Sequence, residues 1–123
     1  MFIMNDLYMQ EVREIEITIC NLRNTKPQYP WDFRVDRASP LGNPYKMPDE
    51  RYRKQVCISY EEYFNGQLRE YNRTHIKNDF IVELLKIKKA YLQYGKLRLF
   101  CWCAPKQCHA ETIQNYFLTH FNK

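Results

Sequence analysis

Residues Leu97–His109 read L-R-L-F-C-W-C-A-P-K-Q-C-H, a strand-like segment that runs into a proline turn and then toward a helix. Lys96–Cys103 reads as the strand, and Ala110, Ile113, Phe117 and Phe121 recur at helical spacing in a last helix from about Cys108 to Phe121. A strand end that meets a helix N-terminus is where open α/β proteins place ligands, because backbone N–H groups and the helix dipole converge there. Three of the five cysteines and one of the three histidines fall in the last nine residues of the stretch. This is the candidate site.

Upstream, Glu14–Leu22 (E-I-E-I-T-I-C-N-L) alternates, with Ile15, Ile17 and Ile19 on one face, the pattern of a half-buried strand. If it pairs in parallel with the later strand, Asn21 and Arg23 project toward the cysteine cluster. Trp31–Arg37 (W-D-F-R-V-D-R) reads as a second, shorter strand, and Ala38–Pro48, with three prolines and a glycine, as a rigid loop. Asp49 and Glu50 then open a helix with Tyr52, Val56, Tyr60, Tyr63 and Phe64 at helical spacing, and Gly66 is the expected end. The tyrosine stripe reads as a core face. Asn78 is an N-cap candidate for the stripe Phe80, Ile81, Leu84, Leu85, Lys88, Tyr91 and Leu92, in one helix or two short ones, and Gly95 is the natural residue after its end. The order β-β-α-α-β-α predicts one small α/β domain over 1–123. We expect it to be Rossmann-like, with about three strands, at least one parallel pair, and three to four helices.

A length of 123 residues suits one domain with a modest core. Hydrophobic residues at 45% and charged residues at 27% are ordinary for a globular chain, and ten tyrosines with seven phenylalanines argue against disorder. The net charge of +5 favours anionic partners. Lys and Arg are spread along the chain, densest at Arg51–Lys54 and Lys86–Lys89, so an anionic small molecule is preferred over nucleic acid. No apolar run approaches the ~18 residues of a membrane span, and Met1–Asp6 lacks the features of a signal peptide. The expected location is the cytoplasm, where the cysteines are reduced thiols. Exposed aromatics would suit a symmetric homodimer face.

Two motifs, D-R-A-S-P-L-G-N-P at Asp36–Pro44 and C-W-C-A-P-K-Q-C-H at Cys101–His109, together with N-L-R at the end of the first strand, resemble the small bacterial and phage family called domain of unknown function 4326. The resemblance spans Ile17–Phe121 and is carried by Asn21, Leu22, Arg23, Arg37, Ser39, Pro40, Leu41, Gly42, Asn43, Pro44, Cys101, Trp102, Cys103, Pro105, Cys108 and His109. Ala110 stands where such proteins often have glycine. The family name implies no activity. Its cysteine-histidine turn looks like that of another α/β family thought to handle nucleotide-like ligands, and the resemblance suggests a phage protein acting on host nucleotide metabolism or signalling.

Three chemistries fit these residues. In the first, an anion pocket, Gly42 takes a positive φ and Leu41–Asn43 form a nest of N–H groups. The helix near Cys108 offers further donors, Arg23 and Arg37 clamp a phosphate or carboxylate, and Trp102 stacks on a base. Asn21, Ser39, Asn43, Cys101, Cys103, Cys108 and His109 complete that ligand-binding set. Against it stands a plain corner loop, with Arg37 paired to Asp36 or Asp32 at the surface. In the second, Cys101, Cys103, Cys108 and His109 form a Cys₃His zinc site, although their spacing is not that of a finger or ribbon. In the third, Cys108 is a thiol nucleophile with a depressed pKa at the helix N-terminus, and His109, about 100° away on a helix, acts on Cys103 or on a ligand. His75 and His120 read as surface residues.

Overall fold

The computed structural model describes residues 16–121, so Glu14, Ile15 and Met1–Asp6 lie outside the described residues. Strand β1 is Glu16–Asn21 and β2 is Asp32–Arg34; a 3₁₀ turn at Glu50–Tyr52 leads into helix α1, Arg53–Thr74. Helix α2 is Asp79–Tyr94, strand β3 is Lys96–Cys101 and helix α3 is Ala110–Phe121. The strands form one sheet in the order β1-β3-β2, and both pairs are parallel. In register, Asn21 lies opposite Cys101, and Ile19 and Phe33 flank Leu99. All three strands therefore end on the same side.

Alternation along β3 sends Leu97, Leu99 and Cys101, each fully buried, into the core. There they meet Ile17 and Val35 from the neighbouring segments and the apolar stripes of the helices: Tyr60 and Phe64, then Phe80, Ile81, Leu84 and Ile87, then Ile113 and Phe117. Helices α2 and α3 pack on the sheet and α1 packs against both helices. On the other face of β3, Arg98 forms a two-pronged ion pair with Asp32, both bonds 2.9 Å, and lies over the Phe100 ring at 5.1 Å. Among the described residues, no helix is long and apolar enough to cross a membrane.

Asn78 caps α2, its side chain accepting the Ile81 N–H at 2.9 Å, and α2 is one helix. Gly95 ends it with φ 72°. Gly66 does not end α1, which continues for two more turns to Thr74 and closes on His75 at φ 60°. The reason is that the apolar stripe continues through Leu68 and Tyr71 into the core edge, which outweighs the roughly 1 kcal/mol that one glycine costs inside a helix. Of the tyrosine stripe, Tyr60 is fully buried but Tyr52 is exposed, because it sits in the 3₁₀ turn before the helix proper.

Candidate functional site

The C-terminal ends of β2 and β3 open onto a cavity of about 480 Å³. Two turns build most of it. The first follows β2, where Asp36, though buried, accepts two bonds from Arg34, at 2.9 and 2.5 Å, and one from the indole N–H of Trp102 at 2.9 Å. Arg34 and Trp102 outweigh burial and hold the Asp36 carboxyl below the usual carboxylate range. The second turn follows β3 and runs from Trp102 to His109, with a cis bond between Ala104 and Pro105.

Asn21 ties the end of β1 to this second turn. Its amide donates to the Ala104 carbonyl at 2.7 Å and its carbonyl accepts the Arg23 N–H at 2.8 Å. Asn21 therefore positions the wall; with Arg23 it borders a neighbouring cavity of about 440 Å³ that shares Arg53, Trp102 and Cys103 with the first.

The S-P-L-G-N-P loop is closed by its own side chains. Ser39 accepts the Leu41 N–H at 3.0 Å and Asn43 accepts the Tyr45 N–H at 2.9 Å, while the buried Tyr60 hydroxyl donates to the Leu41 carbonyl at 2.7 Å. The expected nest at Leu41–Asn43 is not formed, because the Leu41 and Gly42 N–H groups already bond Ser39. Nor is Gly42 at positive φ; Gly95 alone of the described glycines is. Glycine is required at 42 for space, since a Cβ there would lie 2.5 Å from the Asp36 carbonyl oxygen. Arg37 pairs with neither Asp36 nor Asp32. It braces the loop through the carbonyls of Asn43, at 3.1 Å, and Tyr45, at 2.9 Å, and still borders the cavity. Ser39 and Gly42 line a separate depression of about 300 Å³, with Pro44 and with Arg37, Asn43 and Lys46, which border the main cavity too.

Of the ten residues expected to form the ligand site, Arg37, Asn43, Cys101, Cys103, Cys108 and His109 meet at the main cavity. The sequence reading missed Arg53 and Lys46. Arg53, in the first turn of α1, is gripped by Glu50 at 2.8 and 2.6 Å and donates to the Gln107 carbonyl at 2.8 Å. The basic run Arg51–Lys54 was visible, but nothing local separates Arg53 from its neighbours. The charged lining is three cations, Arg37, Lys46 and Arg53, and one carboxylate, Asp36; Arg34 pairs with Asp36 and Glu50 with Arg53. Trp102 and Tyr45 are 50% and 43% exposed at the rim.

The thiols order themselves differently from expectation. Cys108 lies just before α3 and is buried, and its thiol is pushed up, by Cys101 and Cys103 and then by burial. The Ala110 N–H at the helix start pulls the other way but is outweighed by the two neighbouring thiols and by burial. Cys103 is the thiol held down, by its neighbours Cys101 and Cys108 first and then, against burial, by the Arg53 guanidinium. His109 is also buried, which lowers its proton affinity. Its Nε2 is 2.5 Å from the Val35 carbonyl, so Nε2 carries the hydrogen and Nδ1 presents a lone pair to the Cys108 sulfur at 3.5 Å. The sequence-based separation of Cys108 and His109 assumed both lay on the helix, whereas α3 starts one residue later. Cys101, Cys103, Cys108 and His109 do not assemble as a zinc ligand set: among the described residues, no group of three or more His, Cys, Asp or Glu is placed to hold a metal ion. His75 and His120 are exposed, as expected.

A family model described as a domain of unknown function (DUF4326) matches residues 20–118. Comparison with curated proteins and with solved structures gives no match.

Proposed function

The chain belongs to the DUF4326 family, a domain of unknown function, and from its pocket we propose that it binds, and processes, a nucleotide-like anionic small molecule at the strand ends. One observation carries this reading: the cavity is lined by three cations and one carboxylate, with Arg53 and the carboxylate each ion-paired, beside an exposed indole. A phosphate or carboxylate would be held by Lys46 with the remaining donors of Arg53 and Arg37, and a base would stack on Trp102. The volume lies within the ~300–1,000 Å³ range of small-molecule sites. Placement at the carboxyl ends of parallel strands is the ligand position of Rossmann-like sheets, and we read the fold in that sense. We place it in the cytoplasm as a phage-type factor acting on host nucleotide metabolism or signalling, and its exposed aromatics would suit a homodimer face.

The test is thermal unfolding with nucleosides and with their mono-, di- and triphosphates. A ligand present at about 100 Kd adds roughly 2.7 kcal/mol, a rise of several degrees. The phosphorylated compounds should produce it and the nucleosides should not. Flat melting temperatures across the panel would overturn the reading. A thiol-dependent reaction is the second reading, favoured by the placement of Cys103.

A further inference from the structure

We propose that Cys103 is the nucleophile of this pocket, forming a carbon–sulfur bond with a small anion that carries an electrophilic carbon and a leaving group. The ligand class rests on the anion-pocket reading above; the identity of the nucleophile does not. Five cysteines are described and all are free. Four of them, Cys57, Cys101, Cys103 and Cys108, border the cavity. Cys103 alone also borders the second cavity, so it stands on the wall shared by both chambers, half-buried, while Cys101 and Cys108 are closed into the core. It is thus the cluster thiol that a ligand can reach.

Geometry also sets Cys103 beside a cation, because Arg53 lines both cavities with it. Arg53 faces it from α1 and is held in place by Glu50 and the Gln107 carbonyl, so the guanidinium does not swing away. Cys57 faces it from the same helix, Cys101 from β3, and Cys108 with neutral His109 from the turn before α3. Those groups carry no negative charge while Cys103 is ionised. Cys101, Cys108 and Arg53 line the main cavity with this sulfur, and the cation lowers the proton affinity of a thiol beside it. In the reaction the thiolate attacks the electrophilic carbon, the C–S bond forms as the carbon–leaving-group bond breaks, and the leaving group departs with the bonding pair. The thiol proton has already gone to solvent, so no base is needed at the moment of attack. The cations that hold the anion bring its carbon to the sulfur.

Alkylation of the intact protein with neutral iodoacetamide and anionic iodoacetate from pH 5 to 9, with each cysteine followed by peptide mass spectrometry, tests this. In both reactions iodide leaves with its electron pair. Cys103 should react at least about tenfold faster than Cys20 at pH 6 with either reagent. Its preference for iodoacetate should exceed that of free cysteine by a similar factor, and millimolar phosphate should slow it. Arg53→Met should move the pH profile of Cys103 upward and abolish the iodoacetate preference, and Arg53→Lys should restore much of both. Cys103→Ser should remove the fast label without changing the melting profile. Equal rates at Cys103 and Cys20, or first labelling at Cys57 or Cys108, overturns the proposal. Fast iodoacetamide labelling without an iodoacetate preference overturns the anionic ligand class and the anion pocket together. Phosphate-sensitive nucleotide binding with a slow Cys103 overturns the nucleophile and leaves the pocket standing.

Discussion

Trp102 donates its indole N–H to the Asp36 carboxylate at 2.9 Å, across 66 residues of sequence. With the Arg34 pair, this bond locks the turn after β2 to the turn after β3, and the cavity lies between them. The same indole presents its exposed side to the cavity, so one residue both joins the walls and offers a stacking surface.

Trp102→Phe keeps the ring and removes the donor. A hydrogen bond to a charged group is worth about 1.5–3 kcal/mol, and with the indole half exposed the lower end applies, roughly 1–2 kcal/mol. Urea denaturation at pH 7 should show that loss, and nucleotide affinity should fall less than with Trp102→Ala.

Asp36 makes stability depend on acid. Arg34 and Trp102 hold its carboxyl below the ordinary carboxylate value, so its contribution is complete above the unfolded pKa near about 3.9 and disappears as pH falls through the lower folded value. Denaturation midpoints from pH 6 down to 2.5 should decline steeply below about pH 4. Asp36→Asn should be less stable at pH 6, and the difference from the parent should shrink toward pH 2.5.

Tyr60→Phe leaves the Leu41 carbonyl without its buried donor at 2.7 Å. The expected cost is about 1–3 kcal/mol. Because Tyr60 anchors the loop from below, hydrogen exchange at Leu41–Asn43 should accelerate more than exchange in α2, which a uniform destabilisation would not produce.

Gly42→Ala and Gly66→Ala should have opposite signs. A Cβ at 42 would press on the Asp36 carbonyl at 2.5 Å and the Arg37 Cα at 2.6 Å, both backbone, so the loop must move and carry Arg37 with it. At 66 the nearest atom is the Arg69 side chain at 3.7 Å, and alanine should stabilise α1 by about 1 kcal/mol. Paired melting curves check both.

The strands, the helix order and the strand-end position of the site were legible because alternation and helical spacing are local signals; Asn78 and Gly95 performed the capping their residue types imply. Gly66 misled because the burial of Leu68 and Tyr71 downstream cannot be weighed from a single residue. The choice between Cys103 and Cys108 was not legible, since it depends on Arg53 reaching from another element and on which sulfur faces the core. Arg37 was recognised as important, yet its donors turned to the loop backbone, a use that sequence spacing does not distinguish from ligand binding.

Arg53 borders both the main cavity and the chamber beside Asn21 and Arg23. Two anions, one in each chamber, would draw on a single guanidinium while repelling one another. Occupation of either should therefore weaken the other by the same factor, a reciprocal antagonism set by one shared charge. A small inorganic anion in the outer chamber would then act as a brake on the inner one, and titrations in phosphate buffer would understate the protein's affinity for its ligand.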